Sequence, residues 1–240
     1  MTTVAKIAIA LLMALFMSSC AFDINFGSGK HGNGVVAEDT REVSEEFTEV
    51  WASEGLDVYV TQADDFSIEI EADENIIDLI GTDIKNGKLR IHAIENIGRA
   101  TKKVYVSMPE ITSLSSSSGA DLIATNIIRA DNLSLSSSSG ADLKLEVVAD
   151  EISADASSGA DIRLAGETNM LYADASSGSD IKANDLVSKT CNADASSGAD
   201  ITVNVTESLV ADASSGADIK YSGDANVQAK KSASGSVHKY

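Results

Sequence analysis

Aspartates recur in two columns through the second half of the chain. Columns of carboxylates can bind hard divalent cations, pair with basic groups or, as two carboxyls at a set separation, cleave a glycosidic bond. The first column is Asp121, Asp142, Asp161, Asp180, Asp200 and Asp218, each two residues after a glycine. The second is Asp155, Asp174, Asp194 and Asp212, each six residues before a member of the first. Six extended residues span about 20 Å, against the roughly 5–9.5 Å of a glycosidase pair. Only a tight corner between the columns would close that gap. Turnover also needs one distinctive constellation rather than several equal ones. A carbohydrate-active enzyme on a β-helix therefore stands behind two readings of the first column. One is a solvated, laterally paired face. The other is a cation ladder, with Ca2+ as the ion that oxygen ligands favour. Rungs about 4.8 Å apart put neighbouring carboxylates about 0.9 kcal/mol uphill in water, and physiological salt roughly halves this. Lys144, Arg163, Lys182 and Lys220, two residues beyond their aspartates, are placed to offset it.

The other reactive residue types are dispersed. His31, His92 and His238 lie far apart in the chain and have no evident partners. No serine stands in a Gly-x-Ser-x-Gly turn with a histidine and an acid. Cys191 falls in a column with Leu133, Ile152, Leu171 and Leu209 and so reads as a small core residue.

What positions the aspartates is a repeat. Glycines at 119, 140, 159, 178, 198 and 216, with a degraded copy at 235, recur at a mean spacing near 19 residues. Each intact copy reads Ser-Ser-Gly-(Ala/Ser)-Asp-(Leu/Ile). A fixed period near 20 signals a solenoid whose coils bury themselves on their neighbours. One parity holds Leu122, Leu143, Ile162, Ile181, Ile201 and Ile219 with the alanines after each glycine, so it faces inward; the aspartates take the other parity. Small inward residues mean a thin coil. A glycine on the outward parity marks a corner, across which the parity need not carry. The expected fold is all-β: a single-stranded parallel β-helix of about seven coils, right-handed by the chirality of parallel crossovers, preceded by a short-stranded β region. In the degraded last coil, counting back from Gly235 puts Lys230 inward and Lys231 outward, charges that would blunt an open end.

The 240 residues carry 37 acidic and 18 basic side chains, a formal charge of −19. Such a chain repels phosphate backbones, which argues against nucleic acid. Two cysteines are too few for a disulfide scaffold. Lys6, the apolar run from Ile7 to Met17 and Ser18-Ser19-Cys20 read as a secretory signal. The cysteine after small residues resembles a bacterial lipobox, which implies acylation of Cys20 and attachment to a membrane through lipid.

The organisation expected is a signal peptide at 1–19, a lipidated Cys20 with a Gly-rich tether over 20–35, a β region and cap over 36–110, and the β-helix with its C-terminal cap over 111–240. The change near Pro109 is sharp: Trp51 and every phenylalanine precede it. Asn86-Gly87 predicts a hairpin, and residues 74–81 are ambiguous, with a short helical turn as one outcome.

Gly55-Leu56-Asp57-Val58, Glu71-Ala72-Asp73 with Asn75, Asn86-Gly87 with Leu89, and Val104 and Val106 with Pro109 precede the Ser-Gly-Ala-Asp coils. In that order, over about residues 36–240, they resemble the bacterial "putative auto-transporter adhesin, head GIN domain" family, with Gly-Leu-Asp in place of the namesake Gly-Ile-Asn. The resemblance implies a β-helical fold on an exported, often lipid-anchored protein. The expected function is a non-catalytic, adhesin-like module of the outer membrane or cell surface, presenting a β-helix face to a glycan or extracellular protein. A structural or cation-binding envelope spacer is the alternative.

Overall fold

The computed structural model describes residues 29–230 and 234–240. The expected signal peptide, Cys20, the first part of the tether and Lys231 lie outside the described residues.

Six strands precede the last turn of the N-terminal region: β1 (Val36–Arg41), β2 (Glu49–Ala52), β3 (Asp57–Gln62), β4 (Ser67–Asp73), β5 (Ile80–Lys85) and β6 (Lys88–Ala93). A single 3-10 turn, Ile77–Leu79, lies between β4 and β5, so the ambiguous 74–81 segment divides between a turn and the start of a strand. Then come β7 (Lys102–Met108), β8 (Ser113–Ser117), β9 (Asp121–Ala124) and β10 (Ile128–Ser138). The array continues with β11 (Asp142–Ser157), β12 (Asp161–Ser176), β13 (Asp180–Ala195) and β14 (Asp200–Ala213). It ends with β15 (Asp218–Ser222), β16 (Asn226–Lys230) and β17 (Ser236–Lys239).

From β8 onward every pairing is parallel, and like residues of successive coils meet. Asp142 pairs with Asp161, Leu143 with Ile162, and Ile162 with Ile181. Ile181 pairs with Ile201 and Ile201 with Ile219. These apolar rungs have no exposed surface, and each buried side chain contributes about 1.5–3 kcal/mol. The molecule is thus a parallel β-solenoid of about seven turns with a period near 19.

The Ser-Ser-Gly corner is a two-residue turn. In each intact copy the second serine and the glycine both have positive φ, as in Ser158 (55°) and Gly159 (71°). The Ala160 amide donates to the Ser157 carbonyl at 3.3 Å, which closes a type I′ turn. Gly159 also donates to the Ser177 carbonyl of the next coil at 3.2 Å, so the inter-coil ladder runs through the corner unbroken. A Cβ on Gly159 would meet nothing, so its requirement is φ rather than space. Because the turn takes two residues, the inward parity does carry across it: Ala156 and Ala160 are both buried. It flips instead between Ala149 and Ile152, where Asp150 and Glu151 are exposed. Alanines on both arms of the turn keep the coil thin. Where serine takes an inward place it is satisfied. Ser116 and Ser137 hydroxyls meet at 2.9 Å, and the Ser179 hydroxyl accepts from the Ser176 amide at 3.1 Å.

The N-terminal strands continue the same stack. β2 pairs with β8 and β3 with β9, so residues 49–62 form a coil of their own. Its corner, Glu54 (φ 61°) and Gly55 (φ 68°), repeats the Ser-Gly turn. The chain then leaves the stack through β4 and β5 and returns as β6 and β7, which lie on the other side of β2 and β3. β4 covers β7 and β5 covers β6, both antiparallel, and β1 covers β4. The open ladder is thereby closed by antiparallel strands at this end. Asn86 (φ 54°) and Gly87 (φ 75°) make the β5–β6 hairpin. Among the described residues the buried apolar side chains form one cluster, running from Phe47 in the cap to Ile219 in the array.

Residues 29–35, read from composition as tether, are bound to this cap. Lys30 donates to Asn96 and Gly32 to Arg99, and Gly34 donates to the Asp73 carboxylate at 2.7 Å. Gly32 lies against that carboxylate where a Cβ would not fit.

Candidate functional site

Both carboxylate columns are real ladders, one on each side of the corner ridge. The first is longer than the repeat motif alone shows, because Asp57 pairs with Asp121, and Asp121 with Asp142. The missed signal is Gly55-Leu56-Asp57-Val58, a copy of Gly-Ala-Asp-Leu displaced by the intervening cap strands. Lys103 continues the column above Asp57, and Ser236 pairs with Asp218 at the far end and donates a hydrogen bond to it.

Cations sit two residues beyond their aspartates as expected, but only two of the four bridge. Arg163 reaches Asp142 at 2.9 Å with one guanidinium nitrogen and Asp161 with the other. Lys182 spans Asp180 at 2.9 Å and Asp161 at 3.5 Å. Among the described residues Lys144 and Lys220 make no ion pair. Asp121 titrates above its ordinary value, first from partial burial and then from repulsion by Asp142 and Asp57, opposed by Arg163.

The second ladder pairs Asp155 with Asp174, Asp174 with Asp194, and Asp194 with Asp212. Lys230 closes it, pairing with Asp212 in register and donating to it at 2.7 Å. Counting back from Gly235 had placed Lys230 inward. The strand register instead turns it outward, because an unpaired ammonium in a thin apolar coil would be prohibitively desolvated. Asp174 and Asp194 are both raised, each first by desolvation against the sheet and then by its aspartate neighbours. A folded-state value above the unfolded one means that protonation favours the fold. Stability is therefore lost as pH rises above the unfolded value of 3.8 through the raised one. We expect Asp194→Asn to stabilise the protein by about 0.5 kcal/mol at pH 7, with the gain gone by pH 4. Urea unfolding at the two pH values checks this, and an equal gain at both would refute it.

Along the same face, Trp51 lies at the cap end with Arg90 over its ring at 5.3 Å and donates to the Ser117 hydroxyl at 3.0 Å. Ser115 and Ser136 continue the column into Asp155. Tyr172 and Val210 are exposed beside the carboxylates and line a shallow groove of about 220 Å³.

Among the described residues, no three histidine, cysteine or acidic side chains converge as metal ligands. The histidines stay apart. His92 meets Asp83 at 2.8 Å, the His31 ring accepts from the Arg99 amide at 3.3 Å, and His238 lies 3.5 Å from Ser236. Cys191 is buried, and burial pushes its thiol up to about 12. It is an inert core residue.

The two ladders are stacks of near-identical polar rungs on a parallel solenoid. The model of the family described as "Putative auto-transporter adhesin, head GIN domain" matches residues 46–225, and the chain belongs to that family. The fold is similar to a crystal structure from Bacteroides fragilis described as a "putative adhesin". That likeness has a TM-score of 0.80 and 21% identity, covering 88% of this chain and 100% of that one. A "putative lipid binding protein" from Parabacteroides distasonis is similar at TM-score 0.71 and 20% identity, over 88% of this chain and 99% of that one. A "putative adhesin" from Parabacteroides merdae gives 0.70 and 20%, over 88% and 98%. At these identities the likeness is one of fold. No curated protein matches the chain.

Proposed function

We propose that the protein is a non-catalytic, adhesin-like module of the cell envelope, exported, held to a membrane through lipid on Cys20, and presenting its solenoid to a glycan or an extracellular protein. The observation that carries this reading is the equivalence of the rungs. Ligand binding can use many similar groups on a flat, rigid face, whereas chemistry concentrates in one place. Family membership supports the surface role. Among the described residues no helix is long and apolar enough to cross a membrane, so attachment in this reading falls to the lipid.

Acyl labelling of the wild type and Cys20→Ala tests the anchor. Label is expected in the first and absent from the second, which should also leave the membrane fraction. Protease shaving of intact cells and probing of glycan and matrix arrays test the rest. Cleavage of the exposed chain and retention of a ligand are expected. A protein shielded from protease that retains nothing on either array would instead be a structural spacer.

A further inference from the structure

The first ladder changes character at its cap end. In the array, the position two residues beyond the aspartate holds Arg163 and Lys182, which bridge neighbouring carboxylates. In the two rungs nearest the cap the same position holds Ile123 and Tyr59, and Tyr105 stands above them in register. The Tyr59 and Tyr105 rings stack at 5.1 Å with 19° between their planes, and Tyr105 is 36% exposed. Among the described residues Asp57 and Asp121, beside this strip, make no ion pair and no side-chain hydrogen bond; Arg163 bonds to Asp142 and Asp161. Lys103, the residue placed to serve Asp57, turns to Glu71 instead at 2.8 Å, and the Tyr105 hydroxyl donates to the same carboxylate at 3.0 Å. These bonds, Lys103 first, hold Glu71 below its usual range. Arg163 and Lys103 are thus committed elsewhere, and Lys144, in register beside Ile123, forms no ion pair among the described residues; two adjacent half-buried carboxylates are left unpaired next to an aromatic and aliphatic strip.

We propose that this patch docks a basic protein segment. A guanidinium or ammonium of the partner bridges Asp57 and Asp121 while its stem lies on Tyr59 and Ile123. Arg163 shows the geometry two rungs away, where one guanidinium spans Asp142 and Asp161. The partner completes the row that the chain leaves unfilled. Guanidinium suits both halves of the patch, since it pairs with carboxylates through two nitrogens and stacks on aromatic rings. The formal charge of −19 favours approach of such a partner over the whole surface. The proposal rests on the binding-module reading and names its ligand class and face.

The probe is a short acetylated Gly-Arg-Gly-Arg-Gly amide, titrated calorimetrically into the full chain at physiological salt. Affinity is expected to fall at least tenfold in Asp57→Asn/Asp121→Asn and to stay unchanged in Asp155→Asn/Asp174→Asn. Ile123→Arg supplies the missing guanidinium from within, so it should weaken the peptide tenfold and raise the melting temperature. Equal losses in the two double variants would show diffuse attraction to an acidic protein and overturn the proposal. No binding of the peptide to the wild type would also overturn it. If a glycan array nonetheless retained the protein, the binding-module reading would stand with a different ligand class; retention of neither would remove both.

Discussion

Gly166→Ala is expected to destabilise the protein by roughly 3–5 kcal/mol, the sum of a backbone term and an overpacking term. Gly166 has φ +113°, outside the left-handed basin that an alanine can enter at modest cost. Its backbone pairs with Val147 of the preceding coil, and a Cβ there would overlap the Val147 carbonyl oxygen. The obstacle is main chain held in a ladder, so it cannot swing aside as a side chain would. Gly159→Ala is the control. Gly159 has φ +71° and open space around it, so its substitution should cost only about 1–2 kcal/mol, the price of a left-handed alanine. Urea unfolding of both variants would decide between them. Equal costs would mean that backbone conformation alone matters and that the coils part easily at Val147.

The contrast between these two glycines shows what the sequence reveals and what it hides. Gly159 belongs to a repeated motif, and its turn, its period and the inward isoleucines can be read by counting. Each such contact lies one coil away, about 19 residues, and copies of it recur down the array. Gly166, seven residues past its corner glycine, recurs only as Gly223, which likewise has positive φ and lies against a valine carbonyl of the preceding coil, and two copies among six coils are too few to stand out by counting. The cap was obscured for a related reason. Its coil, β2 and β3, meets β8 and β9 across a separation such as that between Asp57 and Asp121 (64 residues), because β4 to β7 intervene in the chain but not in that part of the stack. A strand pairing that skips five other strands leaves no local pattern. Asp57 was therefore absent from the expected ladder, although its Gly-Leu-Asp-Val context matches the coil motif residue for residue in character. Lys230 failed for the opposite reason: the count was extended one coil too far, into a degraded copy where the register had already slipped. The carboxylate ladders themselves were legible, since period two fixes the face. Which cations serve them was not, because Lys144 and Lys220 occupy the same column as Arg163 and Lys182 and yet form no ion pair among the described residues.

Asp73→Ala should cost about 3–5 kcal/mol and release residues 29–35 from the cap. Asp73 is only 3% exposed, and its carboxylate joins its own strand to two other segments. One oxygen accepts from the Gly34 amide at 2.7 Å and the other from the Thr101 amide at 2.8 Å. Its own amide donates to Thr101 at 3.2 Å, while Glu74 donates to Val35 at 2.8 Å. Alanine would preserve the strand but leave the Gly34 and Thr101 amides without acceptors. A hydrogen bond to a charged group contributes about 1.5–3 kcal/mol, and two are lost. Asp73→Asn retains one acceptor but sets an NH2 against an amide donor, so it should recover no more than half. Hydrogen exchange separates this local effect from global loosening. Protection of Gly34 and Thr101 should collapse in both variants, while that of Ile162 and Ile181, deep in the array, should hold, because a solenoid couples mainly neighbouring coils. Undiminished protection at Gly34 would mean that the bonds of Lys30 and Gly32 to Asn96 and Arg99, with those of His31 and Asn33 to Asn75 and Glu74, suffice to hold the segment. In the lipid-anchored reading, a pull on Cys20 meets the Lys30 and Gly32 bonds first and the Asp73 carboxylate behind them. Release of residues 29–35 would then add some 7 residues, or up to roughly 25 Å, between Cys20 and the cap.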